Sequence, residues 1–170
     1  MDQPNSDGVA IDLFISKTKK GSNLKFTDSC SKLVFSVDRH RRLLSDSCGN
    51  PLIFISHNQK KKASWEGFTS EEKNDPMFRV ERTTNTLLRL EFQVTNSDFK
   101  MRGSPFFRSC TIYKGDSIVA QTSLMYKLGI QKVLVPRNRF RLTIFPGYPD
   151  DHAFIVALTV IFFYGRKFWV

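Results

Sequence analysis

The stretch Ala153-Phe-Ile-Val-Ala-Leu-Thr-Val-Ile-Phe-Phe-Tyr164 decides the fold. Just before it stand Pro146-Gly-Tyr-Pro149 and the pair Asp150-Asp151. A proline followed by acidic residues suits a helix start, where the backbone dipole is positive. The run is apolar on every face, so as a helix it must be buried all round. Its 12 residues span about 18 Å at about 1.5 Å per residue. A bilayer core is about 30 Å thick and asks for about 20 apolar residues. Extending the run to Val170 would enclose Arg166 and Lys167. The spacing therefore predicts a buried core helix in preference to a tail anchor.

Upstream, the pattern changes from continuous to alternating. Ile11, Leu13 and Ile15 point one way along one strand, and Leu33, Phe35 and Val37 along another. Phe78 and Val80 mark a third, and Leu88, Leu90, Phe92 and Val94 a fourth. Cys110 and Ile112 lie on a fifth, with Phe140, Leu142 and Ile144 on a sixth. Polar residues hold most positions between them, so each strand has one solvated face and one buried face. Two hairpins are legible. Asp46-Ser-Cys-Gly-Asn-Pro51 separates Leu43-Leu44 from Leu52–Ile55, and Gly115-Asp116 separates Thr111–Lys114 from Ile118–Thr122. An all-β meander that ends in a wholly apolar helix is solved by a closed or nearly closed barrel around that helix.

The rest of the composition fits one folded domain. The chain has 170 residues, 41% hydrophobic, with 16 Phe, which is too much apolar surface for a disordered chain. Lys and Arg number 26 against 16 Asp and Glu, a net of +10. The excess is uneven: residues 1–85 carry 14 basic and 11 acidic residues, and residues 86–170 carry 12 and 5. Such a balance favours phosphate-bearing partners, although it also serves solubility. Cys30, Cys48 and Cys110 are an odd set with no short pairing, and the acidic N-terminus lacks a signal-peptide pattern. Cytosol or nucleus is the expected compartment, with peripheral attachment at the plasma membrane as an option.

Met101-Arg-Gly-Ser-Pro-Phe-Phe-Arg-Ser-Cys-Thr-Ile-Tyr-Lys-Gly-Asp-Ser-Ile-Val-Ala-Gln121 is similar to the Arg-Ser-Cys-Thr-Val-Tyr strand, Gly-Asp-Ser turn and Ile-Val-Ala-Gln strand of the plant LURP-one-related family. Arg139 to Ile161 resembles its Phe-x-Leu-x-Ile-x-Pro strand followed by Ala-Phe-Ile-Val-Ala-Leu. Leu43 to Leu52 resembles its Leu-Met-Asp-x-x-Gly-Asn-Pro-Leu hairpin. The resemblance runs from about Ile11 to Phe163. It implies a mainly β fold, the tubby C2-like barrel of about twelve strands enclosing a hydrophobic C-terminal helix. It also implies kinship with tubby domains and phospholipid scramblases, some of which bind phosphoinositides, and a link to plant defence. One departure is the tail Gly165-Arg-Lys-Phe-Trp-Val170, where family chains end in acidic residues. The expected organisation is a flexible N-terminus over 1–10, one barrel domain over 11–164 and a short basic, aromatic tail over 165–170.

Catalytic signatures are missing from the sequence. There is no Gly-rich phosphate loop, no G-x-S-x-G elbow and no H-E-x-x-H. His40, His57 and His152 stand far apart without a ligand-spaced Cys or His. No enzyme, cofactor or metal is expected. The candidate sites are basic. Arg39, Arg41 and Arg42 form one cluster, and Lys60, Lys61 and Lys62 form another, with Trp65 three residues on. Both follow apolar strands and so fall on loops. Lysines beside an aromatic suit a membrane interface, but lysines at a loop tip also discourage edge pairing. Lys17, Lys19 and Lys20 are a third such cluster. Arg137, Arg139 and Arg141 alternate with Phe140 and Leu142 as a stripe on one strand face, to track phosphates or to neutralise acidic neighbours. Phe106 and Phe107 read as core. Aromatic residues do not interleave with the basic ones on a solvated face, so nucleic acid ranks below lipid as a partner. The expected function is a monomeric, non-enzymatic module for anionic phospholipid or a protein partner. A scramblase-like membrane protein or a membrane-tethered transcriptional regulator is the alternative.

Overall fold

A computed structural model describes residues 8–17, 23–58, 60, 64–69, 71–72, 74–86, 88–104, 109–124, 140–147 and 152–165. Twelve strands follow in chain order: β1 (Ile11–Lys17), β2 (Leu24–Thr27), β3 (Leu33–Asp38), β4 (Leu43–Asp46), β5 (Pro51–Asn58) and β6 (Ser64–Phe68). Then come β7 (Phe78–Asn85), β8 (Leu90–Val94), β9 (Phe99–Ser104), β10 (Ser109–Lys114), β11 (Ser117–Leu124) and β12 (Phe140–Ile144). One helix, α1 (His152–Gly165), completes the chain order. Every strand pairs antiparallel with its neighbours in sequence, and β12 closes on β1 with Leu13 opposite Leu142 and Ile15 opposite Phe140. Closure removes both sheet edges, which would otherwise present unpaired backbone groups.

The helix fills the barrel. Residues Ile155 to Phe162 are 0% exposed, as a helix apolar on all faces requires. The wall turns Leu13, Ile15, Phe26, Val80, Phe92, Ile112, Leu142 and Ile144 onto it. Thr159 is the polar exception, and its hydroxyl donates to the Ile155 carbonyl one turn back at 2.9 Å, so no hydrogen bond is lost to burial. Gly103 shows how tight the fit is: a Cβ there would run into the Ser109 carbonyl oxygen and the Phe162 ring.

The alternating segments fall on strands with most of their apolar residues inward, but Ile11 and Leu33, each opening its strand, are 40% and 37% exposed. Leu88 does not extend the fourth segment: it is 74% exposed, and β8 begins at Leu90. Both hairpins form as read, and Gly115 takes the positive φ of 61° that its tight turn requires. A third turn copies the grammar of the first. Asp28 Oδ1 accepts from the amides of Cys30 and Lys32, as Asp46 Oδ1 does from those of Cys48 and Asn50. Both turns read Asp-Ser-Cys.

A candidate anion-binding end of the barrel

In an up-and-down barrel, connections after odd strands emerge at one end and those after even strands at the other. The helix shows which end is which. Phe154, in its first turn, packs edge-on against Phe78 and Phe99, the opening residues of β7 and β9. Phe163, near its last turn, meets Phe140 at the start of β12. The helix C-terminus, the negative end of its dipole, thus lies at the end reached by the connections after odd strands.

That end is basic. Lys17 closes β1, Arg39, Arg41 and Arg42 form the β3–β4 turn, Lys60 follows β5, and Arg89 precedes β8. Among the described residues of these connections and the strand positions bounding them, Asp38 is the one acid. Among the described residues, the connections at the opposite end carry Asp28, Asp46, Glu72, Asp75, Asp98 and Asp116 against Lys32 and Lys114, while Glu71 of the β6–β7 connection reaches back to Arg41. The charge excess is therefore concentrated, and a one-signed rim attracts ligands of the other sign.

The β3–β4 turn is built to present its cations. Asp38 Oδ1 accepts from the amides of His40 and Arg41 at 3.0 and 3.2 Å, and the Arg39 amide donates to Asn23 Oδ1 at 3.1 Å. Arg42 takes φ 52°, which brings the chain back into β4. Arg39, Arg41 and Arg42 are exposed. Arg41 reaches Glu71 at 3.1 Å, with both side chains more than half exposed. Behind the turn lies Tyr164. Burial raises its phenol above the ordinary tyrosine value, with Arg39 and Arg42 pulling it back and Asp38 adding to the rise.

This architecture, closed and helix-filled, is matched elsewhere. A family model described as LURP-one-related matches residues 11–163, from the start of β1 nearly to the end of α1. The chain belongs to the LURP-one-related family. Arabidopsis thaliana Protein LURP-one-related 7 is 41% identical over 92% of this chain and 91% of its own. Arabidopsis Protein LURP1 is 27% identical over 93% of this chain and 83% of its own. An X-ray structure of an Arabidopsis thaliana protein aligns with a TM-score of 0.63 at 26% identity, covering 92% of both chains.

On this LURP-one-related barrel the basic residues read from the sequence separate. Arg39, Arg41, Arg42 and Lys60 share the basic end, whereas Lys19, Lys20, Lys61 and Lys62 lie outside the described residues. Arg141 is exposed on the outer wall, and Arg137, Arg139, Phe106 and Phe107 also lie outside the description. Trp65 requires a correction. It is 3% exposed, with its ring 5.4 Å from Phe92 and 4.9 Å from His57 inside the barrel, so it can touch no membrane.

Two features of the structure were not read from the sequence. Tyr113 lies on the outer wall between the Lys100 ammonium and the Arg102 guanidinium, 5.6 and 5.9 Å from its ring. The signal was alternation in β9 and β10, Lys100 and Arg102 against Tyr113, which only pairing brings together. At the acidic end a cavity of about 580 Å³ opens beside Met77, Phe78, Val94, Phe99 and Phe154. Among the described residues no group of three His, Cys, Asp or Glu side chains could hold a metal ion.

Proposed function

We propose that this LURP-one-related chain is a non-enzymatic binding module that docks its basic end on anionic phospholipid at a membrane surface. The segregation of charge between the two ends of the barrel carries the reading. Lys17, Arg39, Arg42 and Lys60 belong to connections at one end of the barrel, and basic residues so placed are attracted to an anionic leaflet within a Debye length. Lys61 and Lys62, next to Lys60 in sequence, belong to the same proposal, and Arg41 contributes less because Glu71 holds it. Attachment would then be peripheral, and a role in defence signalling follows from the family resemblance.

The scramblase-like alternative has less support. No helix among the described residues is long and apolar enough to cross a membrane. A barrel crossing with its strands carries an apolar outer band, yet exposed Arg79, Arg102 and Arg141 stand on the outer wall of this one.

Co-sedimentation with vesicles tests the proposal. Vesicles containing anionic lipid should retain the protein at low salt and release it as salt rises, and purely zwitterionic vesicles should not retain it. Equal retention by both kinds, or retention insensitive to salt, would overturn it.

A further inference from the structure

Arg82 occupies a place on the inner wall that its strand otherwise fills with hydrocarbon. Phe78 and Val80 precede it at alternate positions and are buried. Its partner across the ladder is Phe92, itself 1% exposed in the core. Directly opposed residues of an antiparallel pair share a face, so Arg82 faces inward, three residues before β7 ends at the basic rim. The residue is part-buried, and its Nη1 is buried with no hydrogen-bond partner. Other arginines contrast with it: Arg79 and Arg102 on the outer wall and Arg89 at the basic end each hold a carboxylate within 3.0 Å.

A buried guanidinium N–H without an acceptor is unfavourable. Lysine or histidine could shed such a donor by losing a proton, but the guanidinium group cannot. The position therefore holds a buried donor to spare for an anion. We propose that Arg82 is the inner element of an oxyanion site that takes a phosphoryl group through the basic rim. The planar fork of the guanidinium matches two phosphoryl oxygens at once. The rim of Lys17, Arg39, Arg42 and Lys60, with Asp38 in its described connections and Glu71 reaching Arg41, favours a doubly charged group over a single carboxylate. This deepens the proposed function and rests on it for one source of the phosphate, a lipid headgroup; the other source is a soluble phosphate.

Thermal unfolding of the full chain distinguishes these at matched ionic strength. Saturating inorganic phosphate should raise the midpoint of the parent protein by roughly 5–10 °C. Arg82→Met should abolish that shift and unfold no lower than the parent without phosphate, because it removes an unsatisfied buried donor. If R82M does not fold, Arg82→Lys serves: it keeps the charge, loses the fork, and should lose most of the shift. No phosphate shift in the parent, or a full shift in either variant, overturns the assignment. Vesicle binding without a phosphate shift would sink Arg82 and leave the membrane reading standing. A phosphate shift lost in the variants without vesicle binding would sink the membrane reading and leave a site for soluble phosphate.

Discussion

Trp65 is a residue whose sequence neighbours misdirect. It follows three lysines and so resembles an interfacial anchor, but it packs on Phe92, which in turn meets Phe162 of the helix. Alternation could not reveal this, because both faces of β6 are covered. Phe68 points away from the core into a small outer cluster with Leu43 and Phe54. Trp65→Ala should therefore lower stability by about 3–5 kcal/mol, read from the denaturant midpoint, where a surface change would cost under about 0.5 kcal/mol. Tyr164 offers a second test. Its phenol is raised, so the unfolded chain loses that proton first, above about pH 10. The stability it contributes is intact below that pH and is lost as pH climbs toward the folded value. Tyr164→Phe should flatten the alkaline side of the stability profile, measured by urea unfolding across that range. An unchanged slope would show that the phenol is not buried against the basic turn.

The helix was legible at the level of elements because its pattern admits one solution: apolar on every side, too short for a bilayer, flanked by charge. Removing residues 153–170 should leave an insoluble or unfolded chain. One buried Leu or Phe cut to Ala costs about 2–5 kcal/mol, and Ile155, Leu158 and Phe162 are among many that would go. A truncated chain that stays soluble with a β-type circular dichroism spectrum would mean the barrel can fill itself. The hairpins were legible through their turn residues, which carry local hydrogen bonds in Asp46 and a positive φ in Gly115. Strand number was not legible from alternation. β2 and β4 have four residues each, too few to separate a period from chance, and twelve strands came only with the family resemblance.

For the whole molecule, the net charge could be counted in the sequence but not located. Clusters twenty residues apart converge because each follows an odd strand, a fact of topology and not of spacing. Arg82 was missed for a related reason: an arginine after Phe78 and Val80 reads as the end of an apolar segment until Phe92 is placed opposite it. If the basic rim meets the membrane, Lys60, Lys61 and Lys62 changed together to Ala should weaken vesicle affinity roughly a hundredfold with little effect on unfolding. Asp98 and Asp116 changed to Asn, at the far end, should leave that affinity within about twofold, because the field of a charge is screened within about 10 Å. A gain in the aspartate variant comparable in size to the loss in the lysine variant would mean that net charge, not the rim, governs attachment. The helix that fills the barrel also has a consequence for how the protein is made. All twelve walls are encoded before it, so on the ribosome they emerge with nothing to close around. Synthesis adds about 5–20 residues per second, which leaves the nascent sheet's apolar face uncovered for seconds. The last strand must also find the first across nearly the whole chain. Chaperones that shield open sheets during translation therefore matter more to the yield of this protein than to its stability once complete.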